Sequence, residues 1–227
     1  MAKILFIRHG QASFFKDNYD ELSSKGRQQA EALQKYFQET GIPVHHFFSG
    51  NLNRQIDTKT IIAESYTEVP KSIDSSFNEH HGPKVVRNLW PKEVPKTLDE
   101  KEKRSFMKGY FRFFEQTTKA WVLGELEAEP MPEIEPWEIF KNRVHAGLDT
   151  LFQHCQKGET LAVVTSGGPV AVAAGYALNL SDEKIIELSW NIANSSVTEF
   201  LYSQGRFSLI NFNTTPHLVK TNLKSLV

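Results

Sequence analysis

The run Lys3-Ile4-Leu5-Phe6-Ile7-Arg8-His9-Gly10 decides the fold. Four consecutive apolar residues, Ile4 to Ile7, form the pattern of a strand buried on both faces, as in a parallel sheet. A cation, an imidazole and a glycine follow at the strand's C-terminal edge. In open α/β sheets ligands bind outside that edge. A neutral imidazole is a nucleophile, and a guanidinium beside it can hold a phosphate. Gly10 lets the backbone turn sharply or approach a ligand closely. On this reading His9 attacks phosphorus. The bland alternative is a hydrogen-bonded turn residue after a strand, and the rest of the chain decides between the two.

Outward from this strand, the pattern alternates between elements. Ser23 or Ser24 can cap a helix in which Ala30, Leu33 and Phe37 recur at helical spacing, with Gly41 as terminator. Val44 to Phe48 reads as a second strand, and Leu52 to Ser65 as a helix with Ile56, Thr60 and Ala63 toward the core. Ser72 to Pro95 shows little periodicity. Leu98 to Leu126 is charged and aromatic and reads as one or two helices over the site. Pro136 can open a long helix with Trp137, Phe140, Val144, Leu148, Leu151 and Cys155 as its apolar stripe. Thr160 to Thr165 is the third strand. Ser166-Gly167-Gly168-Pro169 breaks it, and Val170 to Leu178 resumes as helix. Val197 to Tyr202 and Phe207 to Phe212 flank Gln204-Gly205 as a hairpin. The expected fold is a three-layer αβα sandwich around a mostly parallel sheet, with a helical insertion and an antiparallel edge hairpin. We read residues 1–227 as a single domain, with 82–135 as an insertion covering the site.

Composition narrows the function classes. The chain has 227 residues, 40% apolar and 23% charged, with net charge −1. That length can bury a sizeable core, and the composition is that of a globular protein. The near-zero charge supplies no basic field for nucleic acid. No stretch is apolar and long enough for a membrane span, and the first strand begins too early for a removable signal peptide. The single cysteine, Cys155, excludes an intrachain disulfide and reads as a small buried hydrophobe. Cytoplasm is the expected location. The pairs His45-His46 and His80-His81 lack the Cys or Asp companions of a ligand set, so no metal is expected.

Three strand ends carry polar residues: Arg8-His9, Ser49 leading to Arg54, and Thr165-Ser166. In a parallel sheet these edges share one side, which gathers a nucleophile and two guanidiniums around one anion. His9 must be neutral to attack, and Arg8 favours that form by like-charge repulsion. Arg8 and Arg54 can each grip phosphate oxygens bidentately. Positioning and electrostatic stabilisation do most of the work of phosphoryl transfer. Glu79 is the candidate acid for the leaving oxygen.

Further motifs extend the pattern. They are Phe6-Ile7-Arg8-His9-Gly10, Leu22-Ser23-x-x-Gly26-x-x-Gln29-Ala30 and Ser49-x-x-x-x-Arg54-x-x-x-Thr58. Glu79 before Gly82, Phe140-x-x-Arg143-Val144, Asn194-Ser195-Ser196-Val197-Thr198 and Asn211-x-x-x-x-Pro216-His217-Leu218 follow. In this order they resemble the histidine phosphatase superfamily, the branch of phosphoglycerate mutases and acid phosphatases. The resemblance implies a phosphohistidine at His9, phosphate held by Arg8 and Arg54, a carboxylate near Glu79 as proton donor, and no cofactor or metal. The partner it implies is a small phosphorylated substrate. An edge hairpin also offers a surface on which a homodimer can form.

One position departs from the family. Thr165-Ser166-Gly167-Gly168 stands where the family places a second histidine, with Ser166 in its place. With Arg8-His9-Gly10-Gln11-Ala12-Ser13-Phe14, it resembles a bacterial subgroup with uncharacterised substrates. Ser166 and the amides of Gly167 and Gly168, opening a helix, are expected to contact phosphate. Losing one preorganised donor costs roughly 3–4 kcal/mol of transition-state stabilisation, so restoring histidine at Ser166 is expected to gain at most ~10²–10³-fold. Hydrolysis is favoured over mutase chemistry, because a mutase must exclude water from its intermediate. The alternatives are phosphoglycerate mutase-type transfer and a phosphate-binding pseudoenzyme. The glycines match no Walker or dinucleotide fingerprint.

Overall fold

The apolar run forms β1 (Ala2–Arg8). Its side chains alternate between two cores: Ile4 and Phe6 join one, Leu5 and Ile7 the other. Both faces are therefore buried, as an uninterrupted apolar strand requires. The computed structural model describes residues 1–13, 20–80, 99–126 and 134–226.

After β1 come α1 (Ser24–Thr40), β2 (His46–Ser49), α2 (Asn53–Ile62) and β3 (Lys71–Ile73). Then follow α3 (Glu100–Val122), α4 (Trp137–Gln153), β4 (Thr160–Thr165), α5 (Gly167–Leu178) and α6 (Asp182–Ser189). The hairpin of β5 (Val197–Ser203) and β6 (Arg206–Thr214) completes the sheet. Among the described residues six strands form one sheet in the order β3-β2-β4-β1-β5-β6. β3, β2, β4 and β1 are parallel, while β5 and β6 are antiparallel. One core lies under α4 and α5, around Phe77, Phe140, Leu148 and Ala171. The other lies under α1 and α2, around Leu33, Phe37 and Ile62. The expected mostly parallel α/β sheet with an antiparallel edge pair is the observed one.

Local chemistry explains the boundaries. The Ser23 side chain accepts from Gly26 N–H at 3.0 Å and caps α1. Gly41 ends α1 in the left-handed region at φ 62. Gln204 and Gly205, at φ 50 and 79, make the two-residue hairpin turn. The fold also differs from expectation in places. β3 and α6 are additional elements, and α5 begins at Gly167 rather than Val170. The buried face of α2 is not the expected one. Thr60 is exposed and Ile56 half-buried, whereas Arg54, Gln55, Thr58, Lys59 and Ile62 are buried. Arg54, Gln55 and Thr58 of that face contact residues around His9, while Lys59 donates to the Ser72 carbonyl at 3.1 Å. The expected insertion includes α3, but 82–98 and 127–133 lie outside the described residues. Among the described residues no helix is long and apolar enough to cross a membrane.

Candidate active site

The parallel register aligns the strand ends that carry the polar residues. Arg8 pairs with Thr165 at the end of β4, and Ser49 pairs with Val164. His9 N–H donates to the Thr165 carbonyl at 2.8 Å, and Gly10 N–H donates to Thr58 Oγ1 of α2 at 3.1 Å. These bonds sew the loop after β1 to both neighbours. Gly10 also meets the first turn of α1. A Cβ there would stand 2.3 Å from the Gly26 carbonyl oxygen, so only glycine permits this approach.

His9 is 3% exposed. Its Nδ1 lies 2.6 Å from the Gly10 carbonyl, which can only accept. Nδ1 therefore carries the proton. Its Nε2 is therefore the acceptor and takes a hydrogen bond from Arg54 Nε–H at 3.0 Å. Burial, then Arg54, then Arg8, hold the imidazole well below its ordinary pKa, while the Gly10 carbonyl pulls the other way. All three lowering causes favour the neutral ring that nucleophilic attack requires.

The two guanidiniums are anchored differently. Arg54, 6% exposed, donates from Nη1 to Asp20 Oδ1 at 2.7 Å. Asp20 Oδ2 also accepts from Asn53 N–H at 2.9 Å, so one carboxylate both starts α2 and holds its arginine. Arg8 Nη1 donates to the carbonyls of Ile192 and Leu226, the latter at 2.8 Å. The segment that reaches Arg8 is itself clamped. Gln29, fully buried, donates to the Leu223 carbonyl at 2.6 Å and to Ser225 Oγ at 2.9 Å. Ser225 O accepts from Asn194 N–H at 2.9 Å.

Glu79 enters from the other side of the site. Its Oε2 accepts from Gly168 N–H of the first turn of α5 at 3.1 Å, and its Oε1 accepts from His80 N–H at 3.0 Å. The His80 ring stands 3.5 Å from Oε1 and packs on Trp121 and Phe140, with centroids 4.8 and 5.3 Å away. Arg143 supports the loop before Glu79, donating to the carbonyls of Ser75, Ser76 and Asn78 at 3.1, 2.9 and 3.2 Å. Glu135 fixes Arg143 through two bonds of 2.8 and 2.7 Å. This fork-to-fork pair gives the motif arginine a supporting role.

Arg8, His9, Arg54, Glu79, His80, Gly167 and Gly168 line one open cleft of about 730 Å³, counting the space at its mouth. Five of the six residues singled out from the sequence thus meet: His9, Glu79, Arg8, Arg54 and Gly167. Ser166 does not line the cleft. It is 1% exposed, and its Oγ accepts from Gln55 Nε2 at 2.9 Å. The hydroxyl expected on phosphate is thus held by a buried glutamine and lies outside the cleft lining. The Gly168 amide, also expected on phosphate, holds Glu79 instead. Asp20, Gln55 and His80 are members that the sequence reading did not assign. Only His80 carried a signal, as the neighbour of Glu79. Among the described residues no cluster of three or more His, Cys, Asp or Glu side chains is arranged to hold a metal.

The arrangement is a buried imidazole held toward its neutral form and flanked by two guanidiniums, with the Glu79 side chain in the same cleft. A model of the histidine phosphatase superfamily (branch 1) matches residues 4–215. The chain is 27% identical over 203 residues to a 2,3-bisphosphoglycerate-dependent phosphoglycerate mutase of Staphylococcus haemolyticus (strain JCSC1435), covering 82% of this chain and 89% of that protein. Among solved structures it is similar to Bacillus stearothermophilus YhfR, with a TM-score of 0.68 at 17% identity, covering 96% of this chain and 100% of that one. A phosphoglycerate mutase from Bacillus anthracis str. Sterne gives 0.66 at 16% identity, covering 96% of each chain. A mutant phosphoserine phosphatase from Entamoeba histolytica, in complex with phosphoserine, gives 0.64 at 20% identity, covering 96% and 100%. At such identities the structural likeness shows the fold alone.

Proposed function

The chain belongs to the histidine phosphatase superfamily, and on that premise we propose that it transfers the phosphoryl group of a small phosphate monoester to His9 and then to water. The observation that carries this reading is the tautomer of His9. The ring proton is held on Nδ1 by the Gly10 carbonyl, so the lone pair is on Nε2, where it accepts from Arg54 Nε–H until a phosphoryl group takes that donor's place. In the first step Nε2 forms a bond to phosphorus, the ester P–O bond breaks, and Glu79 gives its proton to the leaving oxygen. In the second step water attacks phosphorus and gives its proton to Glu79, and the P–N electron pair returns to Nε2. Arg54 Nε–H and the Arg8 guanidinium turn from their resting partners to the equatorial oxygens, where charge spreads in the transition state.

The test is incubation with 4-nitrophenyl phosphate and a labelled ester, alongside His9→Ala. Turnover and acid-labile phosphohistidine in the wild type, both absent from the variant, are the expected result. A second reading, a phosphate-binding pseudoenzyme, is favoured by one observation: Ser166, which the sequence resemblance puts in the place of a second histidine, accepts from Gln55. Bound phosphate without turnover or label would establish it. Dominant phosphoglycerate mutase activity in the same preparation would overturn hydrolysis in favour of transfer.

A further inference from the structure

The far wall of the cleft is aromatic. Tyr110, Phe111 and Phe114 project from α3, and Trp190 follows α6. Positions 110 and 114, and 111 and 114, share one helix face by their spacing. Trp190 donates its indole N–H to Thr118 Oγ1 at 3.2 Å, which fixes the ring against α3. Phe111 is 37% exposed at the cleft. An aromatic ring left open at the rim of a polar pocket is surface that a ligand can cover.

The charges point the same way. Among the described residues lining the cleft, the cations are Arg8 and Arg54, both beside the nucleophile. On the α3 side of the cleft, a second anionic group on the substrate would meet the aromatic side chains of Tyr110, Phe111, Phe114 and Trp190. Aromatic faces carry negative quadrupole potential and repel anions.

We propose that this cleft selects phosphate monoesters of a neutral alcohol bearing a flat apolar ring, and discriminates against esters whose alcohol carries a carboxylate. The proposal rests on the reading of the His9 site as a phosphate-ester site. Phosphonates test it without dependence on turnover or on the leaving group's acidity. Benzylphosphonate, methylphosphonate and 2-carboxyethylphosphonate are titrated by calorimetry against the wild type, Phe111→Ala, Phe114→Leu and Phe111→Arg. Benzylphosphonate is expected to bind at least ~10-fold more tightly than the other two, an advantage in the range of one or two ring contacts. Phe111→Ala and Phe114→Leu should each remove most of that advantage. Phe111→Arg should shift the preference toward 2-carboxyethylphosphonate. Equal binding of the three by the wild type, tighter binding of the carboxyethyl compound, or no binding of any would overturn the proposal. If the ranking holds while phosphohistidine never forms, the hydrolytic reading fails and the selectivity stands.

Discussion

Gly168→Ala tests the placement of the acid more sharply than removal of Glu79 itself. A Cβ at Gly168 would stand 2.2 Å from Glu79 Oε1, 2.9 Å from His80 Cδ2 and 3.0 Å from Phe140 Cζ. Ordinary contact begins at 3.4 Å, so the carboxylate has to retreat by about 1.2 Å. That retreat breaks its bond from Gly168 N–H, worth roughly 0.5–1.5 kcal/mol to the protonated acid. A displacement near 1 Å costs about 10²-fold where positioning matters, within the ~10²–10⁴-fold that general acids contribute. The loss should depend on the leaving group. Benzyl alcohol leaves only with a proton, whereas 4-nitrophenolate leaves without one. The assay is the rate of the first turnover, read as phosphohistidine formation in a rapid quench, because water attack in the second step also uses Glu79. Benzyl phosphate should slow about 10²-fold and 4-nitrophenyl phosphate by less than ~5-fold. Gly168 lies in the first turn of α5, where alanine is favoured over glycine by roughly 0.5–1 kcal/mol, against about 1–3 kcal/mol for overpacking on His80 and Phe140, so thermal unfolding should fall by only a few degrees. Equal slowing of both esters, or of neither, would refute the assignment of Glu79 as acid.

Asp20→Ala removes the carboxylate that accepts from Arg54 Nη1 and from the first N–H of α2. It should lower stability by about 0.5–2 kcal/mol and raise KM for the ester several-fold, read by denaturant unfolding and steady-state kinetics. Ser166→His alone should not give the gain expected from sequence, because the site is filled by Gln55. Overpacking of about 1–3 kcal/mol should appear as a lower Tm, and activity should rise only when Gln55→Ala is added. Two histidines make the protein acid-sensitive. Burial pushes His217 down to about 4, and burial with Arg54 and Arg8 pushes His9 well below 6.5. Between those values and 6.5 the unfolded chain binds protons that the native chain does not, so stability is complete above 6.5 and falls as pH drops. His217 contributes on the order of 3 kcal/mol of this loss by pH 4. Denaturant midpoints of His217→Gln should therefore decline less on acidification than those of the wild type.

How far the sequence reveals this molecule depends on whether a residue's partners are local. β1 was legible because four apolar residues in a row fit a strand covered on both faces. The Ser23 cap, the Gly41 terminator and the Gln204-Gly205 turn were legible because each satisfies backbone groups within a few residues. The convergence of Arg8, Arg54 and the β4 end was legible because parallel strands share a polarity. Asp20 was not, since its value lies in a guanidinium 34 positions away and a loop carboxylate looks the same with or without that partner. β3 was missed because three residues carry too little alternation to register.

The misreading of α2 shows the same limit within one helix. Apolar spacing put Ile56 and Thr60 inside, yet Gln55 and Thr58 are wholly buried and Thr60 is exposed. A hydrophobic pattern locates the face that leaves water for a lipid-like core. It cannot locate a face buried against polar partners. Arg54 meets His9 and Asp20, Gln55 meets Ser166 and the Phe77 carbonyl, and Thr58 meets Gly10 N–H. Each of these groups is tolerated inside because its hydrogen bonds are made there. A buried polar face of this kind is built around something that needs positioning, and here that something is the His9 ring.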